Sequence, residues 1–126
     1  MSQSLRDAGL SATDVGVGHA HATSTPQGDV AEAQAIAQAV GTHPVVTATK
    51  SMTGHLLGAS GALGAMSTIL ALRDGSVPPT RNLTEQDPEV ALDVAAGSAR
   101  SGQWQCALSN SFGFGGHNVS LVFGRA

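Results

Sequence analysis

Two histidines stand two residues apart in GHAHATSTPQGD, Gly18 to Asp29. On a strand His19 and His21 would point the same way and could chelate a metal. A third ligand at suitable spacing is not visible, since His43, His55 and His117 are scattered. Three readings of the pair therefore stand: a metal clip, a strand end with packed or solvated histidines, or part of an active site. His55 follows Lys50-Ser51-Met52-Thr53-Gly54 and is read as opening a glycine-rich helix. A helix N-terminus disfavours imidazolium, and a neutral ring there could donate to a carbonyl or a developing oxyanion. The alternative is a histidine that satisfies a local backbone group. Lys50 falls just past the C-terminal end of an expected buried strand, where open α/β sheets place their ligand sites; by residue type alone it would be a solvated surface lysine.

Asn110 to Asn118, NSFGFGGHN, is a glycine-rich turn holding Phe112 and Phe114. Its glycines would let backbone N–H groups face a ligand. A phosphate loop is excluded, because no helix follows and no Gly-Lys pair ends it. A hairpin whose phenylalanines cap the core is the simpler reading. Cys106 lies inside an expected strand and reads as a small core residue, not a nucleophile.

The elements that must position these groups follow from periodicity. Ser2 to Ala8 fits a short helix stopped by Gly9, and Val15 to Ala20 a strand. Ala22 to Gly28 is expected to be a loop. From Asp29 the spacing of Val30, Ala33, Ala37 and Val40 predicts a helix, with Asp29 as N-cap and Glu32 closing a capping box. Val45 to Ala48 is a β-branched strand. Ala59, Ala62, Leu63, Met66, Ile69 and Leu70 form one helical stripe ending at Asp74-Gly75. A possible strand at Ala91 to Ala95 precedes a final hairpin of Gln105 to Ser109 and Val119 to Phe123. Strand, helix, strand, helix and hairpin make an α/β pattern with a mixed sheet in one domain, residues 1–126.

Composition narrows the class. A hydrophobic fraction of 41% indicates a globular chain, and only 12% of residues are charged. So few charges imply that part of the surface meets another protein. A net charge of −3 supplies no basic field for nucleic acid. No apolar run is long enough to span a bilayer, and no signal segment opens the chain. The single cysteine cannot form an internal disulfide, which fits a reducing cytoplasm.

Taken together, HATSTPQGD, KSMTGHLLGASGA, VPPT and NSFGFGGHN resemble the β-ketoacyl-acyl carrier protein synthases, the decarboxylating condensing enzymes of fatty acid and polyketide synthesis. The resemblance covers nearly the whole chain but only the C-terminal part of the family's longer subunit. It implies the second half of a thiolase-like fold, a mixed sheet with helices packed on its faces, with no cofactor. It also implies that His21 and His55 are the active-site histidines that assist malonyl decarboxylation and polarise the thioester carbonyl, supported by Lys50. Thr23 and Thr25 match threonines that hold the pantetheine arm. Phe114 matches a gating phenylalanine whose N–H serves the oxyanion hole, and Phe112 joins it as a substrate contact. Asp29 and Glu32 fall on acidic positions of structural character. The implied partners are acyl carrier protein, malonyl and acyl thioesters, and an N-terminal synthase half or a second copy of the chain.

The nucleophilic cysteine of the family belongs to its first half, and Cys106 does not match its position. His19 stands where the family usually has asparagine, and Gly64 where it usually has a glutamate that pairs with the lysine. An unpaired buried Lys50 would be costly or would lose its proton. On this reading the chain alone is inactive. The alternatives are a truncated, non-catalytic module that docks on a synthase subunit, or a small metal-binding module built on His19 and His21.

Overall fold

Short β-branched runs and alanine-rich helical stretches assemble into a mixed five-stranded sheet with helices on both faces. The computed structural model describes residues 1–125. In chain order the elements are α1 (Ser2–Asp7), β1 (Val15–His19), α2 (Pro26–Ala39), β2 (Val45–Thr47), α3 (Lys50–Thr53), α4 (Ser60–Asp74), β3 (Ser76–Val77), β4 (Asp93–Val94), β5 (Arg100–Ser101), β6 (Cys106–Phe112) and β7 (Asn118–Gly124). The sheet order is β4-β2-β1-β6-β7. Its first four strands are parallel, and β7 returns antiparallel beside β6 through the turn at Phe114. The small pair β3-β5 lies outside this sheet and had no periodic signature in the sequence.

The sheet divides the core in two. On one face Val17, Val45 and Ala107 pack against Ala71 and Leu72 of α4. On the other, Ala20 and Val46 meet Ala33 and Ile36 of α2, while Val15 and Leu108 meet Leu5 of α1 and Val40. Val15 and Val17 thus serve opposite faces although they are two apart, which a regular strand forbids. A register shift explains it: Val15 pairs with Cys106 and Val17 with Ala107, so Gly16 is an extra residue in β1. Trp104 covers that bulge, and a Cβ at position 16 would stand 2.3 Å from its ring. After the bulge, Val17 and His19 both face α4.

Two expectations from periodicity are corrected. The second helix starts at Pro26 with Thr25 as N-cap, not at Asp29. Proline at the first helical position is preorganised for it and has no N–H to lose. Asp29 instead accepts a hydrogen bond from Ser24 N–H at 3.2 Å, and Glu32 is directed elsewhere. In α4 the buried face is Ser60, Gly64, Thr68, Ala71 and Leu72. The apolar stripe turns outward, leaving Met66 51% and Ile69 48% exposed, with Leu70 beside them. Small residues win the sheet side because they let the helix come close to β6 and β1, so hydrophobicity alone mispredicts the contact face.

Candidate active site

The C-terminal ends of β1, β2 and β6 lie side by side, and the chemistry-bearing residues cluster there. His19 ends β1 and His21 follows it; Lys50 follows β2; Phe112 ends β6. The His21 and His55 ring centroids are 5.5 Å apart and nearly perpendicular, and the Phe112 ring lies 5.7 Å from His21. A cleft of about 470 Å³ opens here, lined by Thr23, Ser24, Lys50, Ser51, His55 and Arg81 among others. A more apolar cleft of about 330 Å³ lies between α2 and the 80–94 segment and is lined by Thr25 and Leu83 but by none of the histidines.

The backbone at His21 is held by a carboxylate. Glu32, 5% exposed, accepts from His21 N–H and Ala22 N–H at 2.9 Å each and from Asn110 Nδ2 at 3.1 Å. One α2 side chain thereby ties the loop after β1 to β6. The loop needs such a tie because Ala22 and Ser24 both adopt positive φ, at 33° and 66°. Asn110 is oriented in turn by Ser120, whose hydroxyl donates to its Oδ1 at 2.8 Å.

His55 does not open α4. It sits five residues earlier, before a short turn at Leu57–Ala59. Its Nδ1 accepts from Leu57 N–H at 3.1 Å and lies 2.9 Å from the Ser60 hydroxyl. That hydroxyl already accepts from Leu56 N–H at 2.7 Å, so its own proton is free to go to Nδ1. A backbone donor aimed at Nδ1 leaves the proton of the neutral ring on Nε2. The helix start acts on His55 through Ser60 rather than through the dipole.

The remaining groups are tuned by burial and by Lys50. Burial, then Lys50, then His55 hold the His21 imidazole below its ordinary value. His19 is pushed down to about 4, first by burial and then by Lys50. Lys50 is itself lowered by partial burial, with Glu32 pulling the other way. A neutral His21 beside a proton-bearing His55 Nε2 can present two uncharged donors to an oxygen that gains charge.

Of the residues singled out in the sequence, His21, His55, Lys50, Thr23 and Phe112 meet in one region. Thr25 caps α2 at the neighbouring cleft. Phe114 stands apart, 96% exposed on the turn after β6, so it does not cap the core as a plain hairpin residue would. Cys106 begins β6, six residues from Phe112 and roughly 20 Å from it along an extended strand. Among the described residues no group of three or more His, Cys, Asp or Glu is placed to hold a metal ion. His19 also spends its Nε2 on Thr49 Oγ1 at 2.7 Å, which sets aside the metal clip. Glu32, Ser60 and Asn110 were missed as supports of the site. A capping pattern concealed the first, and no spacing signal marks the other two.

Residues 1–84 match the family model described as Beta-ketoacyl synthase, C-terminal domain. The chain is 50% identical over 126 residues to 3-oxoacyl-[acyl-carrier-protein] synthase 2 of Mycobacterium bovis, covering 99% of this chain and 30% of that protein. A crystal structure of a β-ketoacyl synthase from Burkholderia phymatum superposes with a TM-score of 0.94 at 46% identity, over 97% of this chain and 30% of that one. A ketosynthase solved in complex with its type II acyl-carrier protein and bound to the hexaketide gives 0.91 at 33% identity, over 98% and 31%. The fold is therefore the α/β, thiolase-like fold of these synthases. The chain belongs to the β-ketoacyl synthase family, as its C-terminal domain, and spans about 30% of the length of the curated relatives it matches.

Proposed function

We propose that these residues form the decarboxylating side of a condensing-enzyme active site, working on malonyl and acyl thioesters carried by acyl carrier protein. The observation that carries this reading is the His21–His55 pair, 5.5 Å apart at the ends of parallel strands, with His55 bound through Nδ1 so that Nε2 is the donor. In the reaction the malonyl carboxylate leaves as CO₂ and its C–C electrons pass into an enolate. Donors from His21 and His55 stabilise the charge on the enolate oxygen. The enolate carbon then attacks an acyl thioester, forming the new C–C bond as a thiolate departs. Lys50 supports His55, Thr23 and Thr25 hold the pantetheine arm, and Phe112 and Phe114 border the acyl group. The acyl-carrying thiol comes from polypeptide outside these 126 residues, since Cys106 is remote. The exposed α4 stripe is the surface on which the complementary half, or a second copy, would pack. The reduced lone thiol suits a cytoplasmic setting.

On its own the 126-residue domain, residues 1–126, is expected to release no ketoacyl product. Mixed with a synthase N-terminal half carrying the thiol, it should decarboxylate malonyl thioester and condense, and His21→Ala or His55→Ala should abolish both. Ketoacyl product from the 126 residues alone, or full activity of both variants, would refute the reading. The outward stripe also favours a second reading, a docking module without turnover; it predicts a stable complex that yields no product.

A further inference from the structure

His19 takes no part in the proposed chemistry, yet it is 2% exposed and wedged between two elements that carry the site. On one side its Nε2 lies 2.7 Å from Thr49 Oγ1, and Thr49 is itself 6% exposed. The Thr49 carbonyl accepts from Met52 N–H at 2.9 Å and Thr53 N–H at 3.1 Å, so Thr49 anchors α3, whose first residue is Lys50. On the other side the ring rests on α4 at Gly64. A Cβ there would stand 3.0 Å from His19 Cε1, 3.1 Å from Nδ1 and 3.4 Å from Ser109 Oγ. Gly64 cannot easily retreat, because its carbonyl accepts from the buried Thr68 hydroxyl at 2.7 Å. The His19 Nδ1 is left without a partner, an expense that packing alone does not justify.

We propose that His19 is a positioning residue for Lys50: its ring, seated over Gly64, holds Thr49 and with it the first turn of α3, and position 64 is glycine because of this ring. Only the functional meaning of Lys50 rests on the reading above, and the tests below require no turnover, so the two can fail separately.

Lys50 is the only lysine in the chain, so lysine labelled at Cε gives a single side-chain resonance in the full chain. Gly64→Ala should lower the thermal midpoint by about 5 °C or more through overpacking. In a His19→Asn background the same change should cost under about 1 °C, since alanine is the better helix former once the ring is gone. His19→Asn should move the Lys50 resonance, and His19→Gln, long enough to reach Thr49, should restore it. Gly64→Ala should also move it, because pressure on the ring reaches Thr49. An equal cost of Gly64→Ala in both backgrounds overturns the proposal, as does an unmoved Lys50 resonance in folded Gly64→Ala. The second result is decisive even if His19→Asn does not fold.

Discussion

Removing the Glu32 carboxylate is expected to unfasten the loop that carries His21. The carboxylate receives three hydrogen bonds, from two backbone N–H groups and the Asn110 amide. At about 1.5–3 kcal/mol for each bond to a charged acceptor, simple addition sets a ceiling of roughly 4–9 kcal/mol. The three share one group, and alanine also removes the penalty of burying a charge, so a net loss of about 3 kcal/mol is expected for Glu32→Ala. For a domain of this size that lowers the thermal midpoint by about 12 °C. Glu32→Gln is the sharper test. Its amide offers one oxygen and one NH₂ to three converging donors, so at least one donor must face another, at about 2 kcal/mol. Urea unfolding followed by far-UV circular dichroism at pH 7.5 measures both. A loss below about 0.5 kcal/mol for alanine, or parental stability for glutamine, would refute the clamp.

Two further outcomes follow from burial. The unfolded chain protonates its His19 near 6.5, while the folded chain does so only near about 4. Below pH 6.5 the unfolded state therefore binds the extra proton, and stability falls with pH by about 2 kcal/mol by pH 5 and about 3 kcal/mol once both values are passed. The difference between the parent and His19→Gln in urea midpoints from pH 7.5 to 5 isolates this contribution; parallel profiles would contradict it. Replacing Met66 and Ile69 together by lysine should change the domain's own stability by less than about 0.5 kcal/mol, because both are half exposed. The same double change should abolish co-elution with a synthase N-terminal half in size-exclusion chromatography.

Much of the fold was legible because strands and helices here keep their ordinary periods: Val45-Val46-Thr47 and the helix closed by Asp74-Gly75 fall where spacing puts them. What spacing could not convey was which side of α4 faces the sheet. The reading of an apolar stripe presumes a helix with one neighbour, whereas this helix turns its small residues to the sheet and leaves Met66 and Ile69 for something else. At the site, histidine type and strand-end position marked His21 and Lys50 before any coordinates. The supports were hidden because they act across long separations: Asn110 lies 78 residues from the Glu32 it binds. Such contacts have no local signature. His55 was placed at the wrong distance from its helix because the turn at Leu57–Ala59, with Leu57 at φ 50°, has no glycine to announce it.

The bulge at Gly16 bears on how much change in length this domain tolerates. A substitution in β1 alters one contact, and its cost can be local. Deleting Gly16 would instead advance the rest of the strand by one step and rotate its side chains to the opposite layer. Val17 would leave the α4 layer, and His19 would turn from Gly64 and Thr49 towards α2, with every helix still intact in sequence. A single residue with no side chain thus sets the phase of the strand. In a line of descent, positions 15–19 should admit exchanges of residue type while their number stays constant.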